Sequence, residues 1–330
     1  MKQGSRTVSS SVITVFSIQG PWLKLLQARL PAEGPPSLLG LKARKIEDRT
    51  EEAFAKALKE LAQSLPVSPH DVLGLLSKAE VLTRYLTLPS QNPEELKSMA
   101  HYQLEGGLPL SIQDCVTSVK IIGPVGEATR VLVAAVLRPN VEQLVRICQQ
   151  AGLNLTRIAV SSEAIGCWHQ ACWPTGTQGP APDAWLAVDI TKEGLDLGVV
   201  LKGSPVYMRQ LLHFEGGMEE LIGHLQETIQ AYLKERIGPS IQQVTISGWL
   251  EGLGPAPLER IERELGISVR RVDPLESSPF RESLSVTVQE FSSEVSFAVI
   301  QFVHTFTERR YRGPFGSFPT FSIQDGISPD

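Results

Sequence analysis

Three short apolar runs follow one another between residues 184 and 217. They read Trp185-Leu-Ala-Val-Asp-Ile, Leu195-Asp-Leu-Gly-Val-Val-Leu and Pro205-Val-Tyr-Met-Arg-Gln-Leu-Leu, separated by Thr191-Lys-Glu-Gly and Lys202-Gly-Ser. Short β-rich runs joined by turn residues predict an antiparallel meander. Gly216-Gly217 then leads into residues 218–236, where Leu221, Ile222, Leu225, Ile229 and Leu233 recur at helical spacing. The N-terminal half repeats this order. Val12-Ile-Thr-Val-Phe-Ser-Ile, the turn Gln19-Gly-Pro and the run from Trp22 to Leu30 predict a hairpin, and residues 50–64 predict a helix opened by Thr50 with Glu51 and Glu52 in its first turn. Two halves that each open on a meander predict a duplicated α/β architecture with a cleft between the copies.

Between these landmarks, residues 32–40 carry Pro and Gly and read as a loop. Residues 71–77 and 81–89 read as strands, and Asn92-Pro-Glu-Glu-Leu starts a helix that runs to about Glu105, before Gly106-Gly107. Two further strands, 113–122 and 130–137, and a helix over 139–150 complete a small insert spanning about 82–152. A strand at 158–160 and a helix over 161–173 return to the first lobe, which spans 1–173. Residues 174–182, Pro-Thr-Gly-Thr-Gln-Gly-Pro-Ala-Pro, are a linker. The second lobe, 183–312, adds a strand at 243–248, a helix at 257–265 capped by Gly266, a strand at 267–272 and a mostly helical stretch at 286–307. The Gly-, Pro-, Ser- and Phe-containing tail, 313–330, is loosely ordered or docked on a surface.

Composition narrows the partners. With 330 residues the chain can bury two cores, and 42 % hydrophobic with 20 % charged residues suits a soluble globular protein. A net charge of -5 and the lack of a basic stripe give no reason to expect nucleic acid; Arg309, Arg310 and Arg312 read as a solvated helix end. Neither a secretory leader nor a membrane span is evident, so a cytoplasmic protein is expected. Cys167 and Cys172 flank His169, yet no CxxC spacing supports a metal clip. Together with Cys115 and Cys148 they read as buried thiols.

Several segments together resemble the PilM family of type IV pilus assembly proteins. They are Val81-Leu-Thr-Arg-Tyr-Leu-Thr-Leu-Pro, Asn92-Pro-Glu-Glu-Leu, Gln103-Leu-Glu-Gly-Gly-Leu-Pro-Leu, Val131-Leu-Val-Ala-Ala-Val, Gln149-Gln-Ala-Gly-Leu, Ser162-Glu-Ala-Ile, Asp189-Ile, Met208-Arg-Gln with Gly216-Gly217, Ile246-Ser-Gly and Asp273-Pro. The resemblance implies an actin-like ATPase fold related to the division protein FtsA, with two lobes of mixed sheet and flanking helices and a 1C-type subdomain in the first. It implies ATP with magnesium between the lobes, on two phosphate-facing hairpins and an adenosine-side Gly-Gly turn. It also implies a groove on the first lobe and its insert for the cytoplasmic N-terminal segment of a PilN-like membrane protein. That partner, with other components of a pilus or secretion platform, would hold the chain peripherally at the inner membrane without direct insertion.

The positions matching the nucleotide loops are Ser17, Gln19, Gly20, Lys24, Asp189, Thr191, Gly216, Gly217 and Gly248, with Asp189 as the metal-facing group if there is one. Several depart from the family pattern. Where the family reads Asp-x-Gly-Ser-Ser-x-x-Lys, this chain reads Ser17-Ile-Gln-Gly-Pro-Trp-Leu-Lys; Thr191 and Trp249 replace glycines, and His224 replaces a glutamate. Glycine matters there because backbone N–H groups must approach phosphate closely. These departures lead to the expectation of a scaffold with a degenerate site, no required cofactor and no catalytic residues. An active ATP-binding member and a sugar-kinase-like enzyme of the same superfold are the alternatives. Asp189 reads either as a metal-facing carboxylate or as a turn former, and Lys24 either as a phosphate-neutralising or a surface charge. Arg84 and Glu105 read as subdomain structure, and Arg209 as a structural or a ligand-binding residue.

Overall fold

Short strands build three sheets among the described residues of the computed structural model. The structure describes residues 11–30, 37–69, 71–105, 111–161, 182–191, 194–202, 204–214, 216–248, 250, 253–272 and 321–322. The first sheet starts with the hairpin β1 (Ser11–Gln19) and β2 (Trp22–Leu30), followed by β3 (Ser37–Lys45). Helix α1 (Glu51–Gln63) comes next, with the Thr50 hydroxyl accepting from the Ala53 amide at 3.3 Å. β4 (Asp71–Leu76) and β8 (Asn154–Val160) then lie parallel to β1, giving the order β14-β8-β4-β1-β2-β3. The outermost member, β14 (Phe321–Ser322), pairs antiparallel with β8.

The second lobe repeats that wiring. β9 (Ala184–Thr191), β10 (Gly194–Leu201) and β11 (Ser204–Leu211) form the meander, and helix α4 (Met218–Lys234) follows. β12 (Gln243–Gly248), helix α5 (Pro257–Leu265) and β13 (Ser268–Arg271) complete the order β11-β10-β9-β12-β13. Strand for strand this is β3-β2-β1-β4-β8 over again, the duplication that the two meanders predicted. In each lobe the described helices cover one face. Phe16, Leu23 and Leu25 pack with Phe54, Leu58 and Leu61 of α1, and Leu186, Val188 and Leu197 pack with Leu221 and Leu225 of α4.

Between β4 and β8 the chain inserts a third sheet, β5 (Val81–Leu88), β7 (Ala128–Leu137) and β6 (Cys115–Val125), with helix α2 (Pro93–Glu105). One face carries Leu88, Val131 and Val133 against Leu96, Ala100 and Leu104 of α2. The other meets the second lobe. Ile122 and Leu132 join that lobe's core, and Tyr85 stacks on Tyr207 at 5.7 Å with the rings 12° apart. The buried Lys120 ammonium donates to the Pro205 carbonyl at 2.8 Å. Strands of the insert thereby pin the two lobes together.

Two expectations are corrected. Residues 37–40, read as loop, begin β3, an edge strand that buries Leu38 and Leu41 while Lys42, Arg44 and Lys45 line its more open positions. Helix α3 (Arg138–Ala151), assigned from sequence to the insert, packs on α1 instead, with Val141, Leu144, Ile147 and Cys148 in the first-lobe core. A buried apolar stripe goes to whichever layer offers a matching one, and α1 offers it. The expected helices at 161–173 and 286–307 and the linker at 174–182 lie outside the described residues, apart from Ser161 and Pro182.

The placement of α3 makes a measurable difference. Leu144→Ala should lower global stability by about 3 kcal/mol, as a buried leucine in a main core does, with one cooperative urea transition. A shift under about 1 kcal/mol would place Leu144 outside a main core.

Candidate functional site

Equivalent positions of the duplicated hairpins meet between the lobes. In the first, Ser17 of β1 lies opposite Lys24 of β2; in the second, Asp189 of β9 lies opposite Asp196 of β10. The register extends the second row to Ser247 on β12 and Gln210 on β11. Ser247, Asp189, Asp196 and Gln210 therefore form one polar row across the second sheet, on the face away from α4. Lys24 is 0 % and Asp189 1 % exposed, and Ser17, Asp196 and Ser247 are also buried.

Burying such groups requires partners, and the chain supplies them to all but the Ser17 hydroxyl, which has no hydrogen-bond partner. The Lys24 ammonium donates to Gln19 Oε1 at 2.9 Å. The Ser247 hydroxyl donates to Asp189 Oδ1 at 2.6 Å. Gln210 Nε2 donates to Asp196 Oδ2 at 3.2 Å, while its Oε1 accepts from the Ser77 hydroxyl at 2.6 Å and the Ala79 amide at 2.9 Å. Ser77 and Ala79 belong to the segment after β4, so Gln210 links the lobes directly. Charge crosses the gap as well. Burial pushes the Asp189 carboxyl above its ordinary value, and the Ser247 hydrogen bond and the Lys24 charge pull it partly back. Lys78, in the segment after β4, is held below the usual lysine range by burial, and Asp196 partly opposes this.

The matched positions fare differently. Ser17, Gln19, Lys24 and Asp189 come together in this interlobe site. Lys24 is no surface charge and Asp189 no turn former; both are buried strand residues. Gly20 takes φ +55 in the two-residue turn with Pro21, which has no N–H to offer a phosphate. Thr191 closes the second hairpin by pairing with Gly194, and its side chain lies outside the described part. Gly216, at φ +87, precedes Gly217, the N-cap of α4, whose first turn already holds Glu219 and Glu220. Gly248 has an internal reason: at φ +91, a Cβ there would lie 2.0 Å from the Ile190 carbonyl oxygen.

Other flagged residues stand apart from the row. Arg209 donates to Glu227 at 2.8 Å and lies 3.4 Å from the Thr228 hydroxyl, fastening β11 to α4. His224 lies on α4 beside Glu220 and Glu227. Arg84 and Glu105 are exposed on the insert. Trp249 lies outside the described residues. The sequence assigns no role to Asp196, Gln210, Ser247 or Lys78, although Gln210 and Ser247 lie in segments that carry the resemblance and Asp196 is an acid inside an apolar run.

A magnesium–triphosphate needs free backbone donors at the hairpin turn and a carboxylate oxygen open to the metal. Pro21 lacks such a donor, Lys24 and one oxygen of Asp189 already hold partners within the chain, and the buried Ser17 hydroxyl has none. Among the described residues no group of three or more His, Cys, Asp or Glu is placed to hold a metal.

Comparison with known proteins bears on the fold. No family model matches the chain, and no curated protein matches it. A solved structure of a PilM-PilN type IV pilus biogenesis complex is similar, at 21 % identity and a TM-score of 0.70, covering 89 % of this chain and 98 % of that one. The cytoplasmic domain of EpsL, an inner-membrane component of the type II secretion system of Vibrio cholerae, aligns at 14 % identity and a TM-score of 0.49 over 77 % of this chain and 94 % of that one. The chain has the actin-like ATPase fold.

Two substitutions test the site. Asp189→Asn removes a carboxyl whose native pKa is raised, so wild-type folding loses stability as pH rises through that titration and regains it as pH falls. The stability of Asp189→Asn relative to wild type should therefore be greater at neutral pH than in the acid range, measured by paired urea titrations. Gly248→Ala should cost about 3 kcal/mol or more, whereas Gly20→Ala, with open space around its Cβ, should cost about 1 kcal/mol. Equal losses would contradict the close approach of β12 to β9.

Proposed function

We propose that this chain is a PilM-type scaffold of a type IV pilus or type II secretion platform. It holds the N-terminal cytoplasmic segment of a PilN-like membrane protein, and its nucleotide cleft is closed by internal bonds. The carrying observation is the engagement of Lys24 with Gln19, Asp189 with Ser247, and Gln210 with Ser77 and Ala79. On this reading the groups that would meet phosphate and metal are held within their own sheets, Lys24 by Gln19 and Asp189 by Ser247, while Gln210 beside them joins the lobes. The shared fold over most of both chains supports the assignment to this kind of scaffold. Among the described residues no helix is long and apolar enough to cross a membrane, and on this reading the membrane association comes through the partner.

The insert has a place in this reading. Its sheet is pinned to the second lobe by Tyr85, Leu132 and Lys120, and it borders the first lobe through β6 and α3. A seam fixed on both sides suits an extended peptide, which loses chain entropy on binding and gains from a preformed surface.

Two measurements separate this from an active ATPase. Thermal unfolding with ATP and magnesium should show no rise in melting temperature up to millimolar nucleotide. A concentration-dependent rise would favour the active reading. A synthetic peptide from the cytoplasmic N-terminus of a PilN-like protein encoded beside this chain should bind saturably in calorimetry. Absence of heat and of co-purification would remove the scaffold assignment.

A further inference from the structure

Strand register sorts the face of the insert turned away from α2 into rows. Residues directly opposite on paired strands share a face, so across β5, β7 and β6 it reads Val81–Val136–Val116, then Thr83–Ala134–Ser118, then Tyr85–Leu132–Lys120. These rows have different neighbours. Val81, Ala134 and Val136 are part of the first-lobe core, with Val116 packed against it. Leu132 belongs to the second-lobe core, Tyr85 packs against that core, and Lys120 bonds the Pro205 carbonyl. Farther along β7, Arg130 donates to the carbonyl of Glu235, the C-cap of α4, at 2.6 Å. One sheet face therefore begins in one lobe and ends in the other. The change of lobe falls beside Thr83–Ala134–Ser118, a row of small side chains in which Thr83 and Ser118 are half-buried.

Two bodies anchored in one short sheet shift against each other only if the sheet bends or one of its ends leaves its core. Packed interfaces of this kind resist continuous deformation, and unseating an end gives up buried contact. A further described tie, Gln210 with Ser77 and Ala79, lies just before β5, at the same boundary. We propose that the insert is a splint in series between the lobes, and that its seating, rather than any occupant of the cleft, sets the angle between them. A binder that tilts the insert then moves the second lobe without entering the cleft. Its leverage is the difference in its affinity for the seated and unseated states.

The test reads the distance between the lobes of the full chain. Energy transfer is measured between dyes on genetically encoded keto side chains at Lys59 of α1 and Gln226 of α4, both exposed. Gln210→Ala removes the polar tie and leaves the splint, so the distance should stay that of the parent. In that background Tyr85→Ala with Lys120→Met unseats the second-lobe end, and Val116→Ala with Val136→Ala loosens the first-lobe end. Each pair should lengthen the mean distance by about 5 Å or more, the displacement that a rotation of about 15° gives over a lobe radius of roughly 20 Å. Links in series fail together, so all four substitutions combined should add little to the larger paired effect. A lengthening with Gln210→Ala alone, a parent distance in both paired variants, or effects of the two pairs that add would each overturn the splint. Where a paired variant does not fold, Thr83→Trp takes its place, adding bulk at the boundary row without emptying a core. It should shift the distance while melting near the parent, and an unchanged distance would overturn the proposal.

Discussion

Everything in this fold turns on how two duplicated sheets bury polar side chains where they face each other. A buried ammonium or carboxylate without partners costs several kcal/mol, so the interlobe space has to be filled by something of complementary charge and shape. The chain supplies partners of its own: Gln19 meets Lys24 within the first hairpin, Ser247 meets Asp189 within the second sheet, and Gln210, bonded to Asp196, crosses to Ser77 and Ala79. Along the first hairpin, Ser17 brings no charge to the neighbourhood of Asp189 and Asp196, and Gln19 supplies an acceptor for Lys24.

The insert extends the same logic. Its sheet has two faces to bury, and α2 covers one. The second lobe covers the other, through the Tyr85–Tyr207 stack, Leu132 and the Lys120 bond to Pro205. Aromatic stacking and a buried charged donor are directional, so they set the position of the insert more narrowly than aliphatic contact does. The lobes are therefore held at two places, the polar row and the insert.

How much of this could be read in advance follows from what periodicity encodes. The two hairpins, α1, α4 and the strands of the insert were legible because turn residues, caps and alternating apolar positions mark them locally. β3 was missed because an edge strand buries a single face, and Lys42, Arg44 and Lys45 hid its alternation beside a Pro- and Gly-bearing loop. α3 was recognised as a helix but assigned to the wrong layer, since an apolar stripe says that a face is buried and not against what. The same limit governed Lys24. Strand alternation turns it outward, as a phosphate-neutralising or a surface charge, while its complete burial depends on a second lobe more than a hundred residues away. Asp196, Gln210 and Ser247 became a row only through strand register, which no single segment carries.

A ligand shifts a conformational equilibrium only by its differential affinity for the two states. The Gln210 bonds to Ser77 and Ala79 already join the two lobes, so a ligand that entered between the lobes and moved them apart would have to offset their loss before it gained leverage over lobe position. The polar row and the insert act together here: the first ties β11 to the segment after β4, and the second holds the second lobe through the Tyr85–Tyr207 stack and the Lys120 bond to Pro205.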